Sequence, residues 1–563
     1  MKLQIGMLRV PQIRPSMLLA LSIAGFALVF ASSLASNIEW IPVQNQLGLL
    51  QMLPLGFWAG VSIIAASIGL GWRNDNEVVF FSQVALLYIS VWGAPALFEL
   101  NPSAWDPYMH YGSVTGIINA GRLSNEFSYA YQNNFPGFFM VIVSYILVGD
   151  PSPLSLLRWY PIFASVLTLL ALCLFVRTYL PRATFRTAFV IAMMADVWVQ
   201  ITFSPQSLGL AVGLLIFVFM EKQGSQWHFL AGAAFIFLVI SHPTTTIFVA
   251  GGMMIREIIV RWRRFALRAS DKPMENPWPV LAFILIWLGW LLTAARLYFS
   301  QFVDQVIGRL SFLVQASEVV QGTVSMRTGG NLWPYPPFVR LGTVGLLVLL
   351  ALIALSIHLY LRRRTGIRFS AVPLALFLVP AVFVPMDILL LNSQLYDRGI
   401  LFIVISSTIL VSLGFFFIRR MPKVRTILIC VIILAAAACW STVYYQESLY
   451  VVSNQSLDAS QFLQEHLQPG ALVLGGRIPF PSWFGSGDRV FTPAPDWAFY
   501  NITLGTLAGE GIVTTAIFDR SADLWMTQYG SVEYDFYRAQ AGANDMIFDS
   551  GDYHVVFGWV GAP

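Results

Sequence analysis

Charge is what this sequence has least of. Of 563 residues only 11% are Asp, Glu, Lys or Arg, against roughly 25% in an ordinary soluble protein. Four residues are lysine, at Lys2, Lys222, Lys272 and Lys423. With 57% hydrophobic residues and a mean hydropathy of +0.68, the shortage excludes a soluble enzyme and implies a polytopic membrane protein. Cysteine is also scarce: Cys173, Cys430 and Cys439 all lie in apolar runs, so no disulfide framework is implied. No G-x-x-x-x-G-K-[ST] is present, which excludes a P-loop, and no H-E-x-x-H or C-x-x-C supports zinc chemistry. Internal repeats are absent too. From Glu447 onward thirteen acids face four arginines, a net of −9, which leaves +13 of the overall +4 on the rest of the chain. That basic excess is the positive-inside signature of a membrane core, not a nucleic-acid surface.

Apolar runs long enough to cross about 30 Å of hydrocarbon are read at 16–36, 48–72, 78–99, 157–178, 187–203, 205–221, 228–241, 244–260, 278–299, 339–361, 370–391, 399–418 and 425–445. The run 135–149 is read as a juxtamembrane or re-entrant helix, because only then do all the arginine-rich loops fall on one side. The expectation is thirteen spans in the plasma membrane, with the N-terminus cytoplasmic and the C-terminus outside. Residues 1–445 form the transmembrane domain, and 446–563 a small extracytoplasmic α/β domain. Within the latter, Leu457–Leu467 reads as helix, Ala471–Leu474 as strand, and Asp545–Asp549 with Tyr553–Phe557 as a hairpin. Two outer loops stand out: 100–156, and 300–338, whose length suits a mobile flap.

Candidate site residues gather on these outer segments. Asp106 follows Trp105 and precedes Pro107, at the start of a helix read from Pro107 to Ala120 and ended by Gly121-Arg122. An acid at the mouth of a membrane cavity can take a proton from an acceptor; an Asp before a helix-starting Pro also caps the helix, and one residue can do both. Glu99 is a second acid at the end of a span. His110 lies one helical turn beyond Asp106, with Tyr108 between them. Arg398, in the stretch YDRGILF, begins an apolar run on the outer side. It suits a lipid phosphate, since guanidinium offers two donors and stays charged; the alternative is an ion pair with Asp397 or Asp387. His242, in SHPTTT, suits either a head group or a hydrogen bond to Asp196. Glu318 lies in the 300–338 loop.

Taken together, these stretches resemble the GT-C glycosyltransferases, polytopic enzymes that use polyprenyl-linked sugars. WDPYMHYGSVTGIINAGRL resembles the acid-bearing outer loop of oligosaccharyltransferase catalytic subunits. NNFPGFFMVIVSYILVG with SPLSLLRWYPIFASVL resembles their juxtamembrane helix and following span. FSPQSLGLAVGLLIF and SHPTTTIFVAGG resemble outer helix turns of the class, and YDRGILF its arginine-bearing helix start. SLDASQFLQEHLQPGALVLGG and MIFDSGDYHVVF resemble its outer C-terminal domain. The WWD signature of oligosaccharyltransferases is absent, and Pro205-Gln206 stands where an acidic pair helps to hold a metal. The resemblance implies a GT-C-like fold of about thirteen transmembrane helices with outer juxtamembrane helices. It implies a polyprenyl-phosphate or diphosphate sugar donor, with a glycan, lipid or protein as acceptor and membrane lipids as surroundings. Asp106 is then the base or acceptor-orienting acid and Arg398 the phosphate-binding residue, with Glu99, Tyr108, His110, His242, Glu318 and Asp397 lining the cavity. No cofactor is expected with certainty: a divalent metal, Mg or Mn, is one reading without a complete ligand set, and a metal-independent transfer is the other. A lipid-linked glycan polymerase or ligase, and a non-catalytic polysaccharide or lipid transporter, are the alternative functions.

Overall fold

In hydrocarbon every backbone N–H and C=O must be satisfied within its own segment, so long apolar runs fold as helices. The structure, a computed structural model, describes residues 13–72, 74–104, 106–123, 131–193, 202–267, 278–310, 335–365, 370–391, 395–418, 421–466, 471–474, 491–493, 513–520, 524, 545–549 and 553–557. The helices are α1 (Pro15–Leu34), α2 (Leu55–Leu70), α3 (Glu77–Trp92), α4 (Ala94–Phe98), α5 (Asp106–Ala120), α6 (Tyr131–Asn134), α7 (Gly137–Gly149), α8 (Pro153–Tyr179), α9 (Arg182–Ala192) and α10 (Pro205–Met220). They continue with α11 (Ser225–Ser241), α12 (Pro243–Leu267), α13 (Trp278–Leu292), α14 (Arg296–Arg309), α15 (Tyr335–Thr365), α16 (Ala371–Leu390), α17 (Tyr396–Phe417), α18 (Pro422–Trp440) and α19 (Asn454–His466). Proline opens α1, α8, α10, α12 and α18, where its missing N–H has no intrahelical partner to lose.

Among the described residues seven helices, α1, α8, α12, α15, α16, α17 and α18, are long and apolar enough to cross a membrane. The protein is an integral membrane protein. The expected thirteen spans are not all long enough. Helices α2, α3, α10 and α11 are shorter apolar helices. The run 78–99 is split at Gly93 into α3 and α4, and 48–72 becomes helical only after Pro54. The run 278–299 does not continue straight: after Leu292 the axis turns by 91° into α14. The cause lies in the residues, because Arg296, Gln301, Asp304, Gln305 and Arg309 make α14 too polar for hydrocarbon. That helix takes up the start of the expected 300–338 flap; positions 311–334, with Glu318, lie outside the described residues. The 187–203 run overlaps α9, and its remainder, with Asp196, lies mostly outside them. Helix α7 spans 13 residues, about 20 Å at 1.5 Å per residue, short of a crossing.

Helix α1 packs on α2 through Gly25 and Gly60, where a Cβ on Gly25 would stand 2.8 Å from the Gly60 carbonyl oxygen. Small residues let backbones approach this closely. Ser22 and Ser67 are hydrogen-bonded across this contact, and Gln83 of α3 donates to Ser67 Oγ at 2.7 Å. The main core joins α3, α8, α9, α10, α12, α16 and α17 around Phe175, Phe189, Phe217, Phe248, Leu376 and Val404. Contacts of Tyr444 with Val91, Arg158 with Ala96, Arg398 with Gln206 and Gly209 with His242 gather the end of α3, the starts of α8, α10, α12 and α17, and the end of α18 at one end of the bundle. Helices α5, α6 and α7 pack there, with Tyr108, Val114, Phe138, Phe139, Tyr160 and Phe203 forming a separate core. Beyond α19, strands β1 (Ala471–Leu474), β2 (Phe491–Pro493), β3 (Val513–Asp519), β4 (Asp545–Asp549) and β5 (Tyr553–Phe557) make one sheet in the order β2-β1-β3-β5-β4. The pairs β1–β2 and β1–β3 are parallel, and β3–β5 and β4–β5 antiparallel. Arg520, just past β3, stacks over the Trp40 ring at 4.5 Å.

Candidate active site

The segment between α4 and α5 is tied down before it reaches Asp106. Ile38 N–H donates to Phe98 O, and Leu100 N–H to Ile38 O, each at 3.0 Å. The Tyr108 hydroxyl reaches back to Pro102 O at 2.9 Å. Ala104 sits in the left-handed region at φ 70°, which costs an L-residue about 1–2 kcal/mol. Its N–H donates to Tyr450 O at 2.8 Å, so a segment 346 positions away holds the turn. Asp106 then falls in the first turn of α5. Burial pushes its carboxyl up to about 6, and the Arg398 charge partly offsets that rise. Gly121, at φ 65°, ends α5 in the conformation glycine adopts without penalty.

Arg398 is in the first turn of α17. Its Nη2 donates to Oε1 of Gln206 at 3.1 Å, and Gln206 is buried in the first turn of α10. The guanidinium is within electrostatic reach of Asp106, Tyr131, His242 and Tyr298. Five separate pieces of chain therefore converge on it. Asp387 shapes the turn that leads into α17, since its Oδ1 accepts the Leu395 N–H at 2.9 Å. Asp397 is half-buried in the same first turn as Arg398.

The other expected lining residues serve packing as much as the cavity. Tyr108 is fully buried, and its phenol closes the loop. His110 is buried among aromatic rings, 6.4 Å from Tyr131, 6.4 Å from Phe138 and 5.6 Å from Phe139 between centroids. Burial lowers its pKa to about 4, so at neutral pH it is an uncharged ring. His242 is buried between α11 and α12, with Nδ1 2.7 Å from Thr245 Oγ1 and accepting the Thr245 N–H at 3.3 Å. It caps α12 while lying near Arg398. Glu99 is 1% exposed, buried beneath the site end.

Asp106 also borders a cavity of about 310 Å³, whose wall includes Arg158, Thr202, Arg340, Tyr445, Glu447 and Tyr450. Arg398 and Gln206 are not part of that wall, so Asp106 borders the cavity while also lying within electrostatic reach of the guanidinium. Sequence reading missed Tyr131, Arg158, Tyr298, Arg340 and Glu447. The signal at Glu447 is faint: an acid among tyrosines just after the last apolar run. Among the described residues no three His, Cys, Asp or Glu side chains converge to hold a metal ion. The charged neighbour of Asp106 is a guanidinium, and Gln206 supplies an amide where a carboxylate would be needed. These residues do not fit a divalent cation.

The fold of this chain is similar to that of a solved oligosaccharyltransferase. The crystal structure of the Archaeoglobus fulgidus oligosaccharyltransferase in the apo form matches over 80% of this chain and 70% of that chain, at 12% identity and a TM-score of 0.50. The same enzyme tethered to an acceptor peptide containing the NVT sequon matches over 81% and 72%, at 13% identity and 0.49. ArnT from Cupriavidus metallidurans matches over 87% and 98%, at 14% identity and 0.38. At these identities the likeness is one of fold. No protein-family model matches the sequence, and no curated protein matches it significantly.

Proposed function

We propose that this chain is a membrane glycosyltransferase that moves a sugar or glycan from a polyprenyl phosphate or diphosphate to an acceptor at the outer face of the membrane. The observation that carries this reading is that Asp106 both borders a cavity and lies within electrostatic reach of Arg398. The anionic phosphate of the donor lies against Arg398, whose guanidinium is held in place by Gln206. The acceptor enters the cavity and presents its nucleophilic O–H or N–H to the Asp106 carboxylate. That carboxylate takes the proton as the acceptor atom bonds to the anomeric carbon. The anomeric carbon–oxygen bond breaks, and its electron pair leaves on the phosphate, where the guanidinium stabilises the charge. With its pKa near 6, Asp106 is ionised at neutral pH yet basic enough to accept a proton. The C-terminal unit then lies outside and the N-terminus in the cytoplasm.

The test is transfer from a panel of radiolabelled polyprenyl-linked sugars to membrane acceptors, wild type against Asp106→Asn. The expected result is transfer from at least one donor that disappears in the variant. Transfer that survives both Asp106→Asn and Arg398→Ala overturns the mechanism.

A further inference from the structure

The segment that follows α18, residues 441–453, runs back across the site end as a strap. Leu49 N–H donates to Tyr444 O at 3.3 Å, and Ala104 N–H to Tyr450 O at 2.8 Å. The Tyr444 hydroxyl donates to Val91 O at 2.9 Å, and Asn101 Nδ2 to Val452 O at 3.1 Å. So fixed, the strap supplies part of the wall of the cavity of about 310 Å³ that Asp106 borders, through Tyr444, Tyr445, Glu447 and Tyr450.

Two arginines reach the same wall from different helices, Arg158 from α8 and Arg340 from α15. Arg158 donates Nε to Ala96 O at 2.8 Å and Nη1 to Leu100 O at 3.4 Å. Arg340 donates Nε to Thr442 Oγ1 at 2.9 Å and Nη2 to Thr442 O at 2.5 Å, with its guanidinium 5.4 Å from the Tyr445 ring. These partners are neutral, so they fix each guanidinium without cancelling its charge. Among the described residues neither arginine forms an ion pair, although Asp106 and Glu447 lie on the same wall. A guanidinium carries five N–H donors, and each of these two gives a pair of them to the protein. Both side chains are half-buried, where a charge held without a counter-ion is costly. The remaining donors, and the charge, are open to an anion that enters the cavity.

We propose that Arg158 and Arg340 form an anion subsite in this cavity, which takes the phosphate group of a hydroxyl-bearing phosphate ester, the acceptor of the transfer. A carboxylate offers two coplanar oxygens and is matched by one guanidinium. A phosphate turns its oxygens in several directions, so two guanidiniums can share it. The acids set the rest of the ligand: Asp106 and Glu447 repel a second negative charge but accept hydrogen bonds from neutral hydroxyls. The wall therefore selects a molecule that carries both an anionic group and uncharged hydroxyls. That this molecule is the acceptor rests on the proposed function; that the cavity binds a phosphate ester does not.

The test is binding without turnover, by calorimetric titration of the full-length protein in neutral detergent with no sugar donor present. Two probes are used: glycerol 1-phosphate, free in solution, and dihexanoylphosphatidylglycerol, which presents phosphate and hydroxyls on a lipid head group. At least one is expected to bind, about 10-fold more weakly in Arg158→Gln and in Arg340→Gln, and with unchanged Kd in Arg177→Gln. The tighter of the two probes tells whether the ligand is soluble or lipid-borne. Binding of neither probe, an equal Kd in the wild type and both cavity variants, or a loss confined to Arg398→Ala overturns the subsite. Should the variants not fold, phenylglyoxal modification of the wild type, mapped by mass spectrometry, replaces them. The bound probe is expected to protect Arg158 and Arg340 but not Arg177, and unchanged reactivity at both overturns the proposal. Transfer in Asp106→Asn is read in a separate assay, so either reading can fail while the other stands.

Discussion

Helix α8 carries an arginine near each end, and the two are held in different ways. Arg177, near its C-terminal end, pairs with Glu77 at 2.5 Å, with side-chain exposures of 53% and 30%. Arg182 extends that pair, and Arg256 and Arg261 pair with Glu221 and Glu257 at the same end of the bundle. Arg158, near the other end, is bonded to backbone carbonyls beside Glu99, Glu447 and the cavity that Asp106 borders. The exposed pairs of Arg177 and Arg182 with Glu77 contribute about 0–1 kcal/mol and need no function to account for them, whereas Arg256 and Glu221 are only 12% and 28% exposed. The buried acids Glu99 and Glu447, with half-buried Asp106, Arg158 and Arg340, gather costly groups at and beside one cavity.

That contrast is open to direct attack. The largest expected effect is at Asp106: replacement by Asn lowers kcat/KM by roughly 10²–10⁴-fold, with the thermal unfolding midpoint nearly unchanged. Arg398→Ala is expected to cost about 10²–10³-fold. Arg398→Lys recovers only part of it, because the charge returns without the planar fork. In steady-state assays, wild-type activity falls as the pH drops below about 6, where Asp106 gains its proton, and levels off above. Since Arg398 holds the Asp106 pKa down, the inflection moves upward in Arg398→Gln; an inflection that stays put detaches the profile from this pair. The smallest effect belongs to the opposite end: Glu77→Gln changes stability by less than about 1 kcal/mol and leaves transfer unaltered. A loss there comparable to that of Asp106→Asn would erase the distinction between the two ends.

Much of this organisation is legible in the residues themselves. Composition announces the membrane, and proline marks several helix starts, as at Pro153, Pro205, Pro243 and Pro422. Asp106 and Arg398 are visible because each violates its surroundings, an acid after Trp105 and an arginine opening an apolar run. The antiparallel pairing of Asp545–Asp549 with Tyr553–Phe557 is signalled in the sequence by the Ser550-Gly551 dipeptide between them. What hydropathy misses is direction. It counts Trp278 to Phe299 as one run, although the backbone turns by 91° within it. Long-range partnership is equally hidden: Arg158 and Arg340 line one cavity from distant parts of the sequence, and neither carries a local sign of the other. His110 shows a third limit, since helical spacing places it one turn from Asp106 but gives no warning of the rings that enclose it.

The contact between Gly48 and the strap has a consequence for biogenesis. Gly48 adopts φ 56°, and a Cβ there would collide with the Tyr444 carbonyl oxygen, so the turn between α1 and α2 is shaped to receive a segment made almost 400 residues later. Ribosomes deliver these pieces in order at about 5–20 residues per second. For tens of seconds the early helices are therefore in place while one wall of the cavity does not yet exist. A nascent chain halted before Tyr444 carries Asp106 and Arg398 yet lacks the wall that Tyr445, Glu447 and Tyr450 supply. Completion of the polypeptide is in this way built into the assembly of the site.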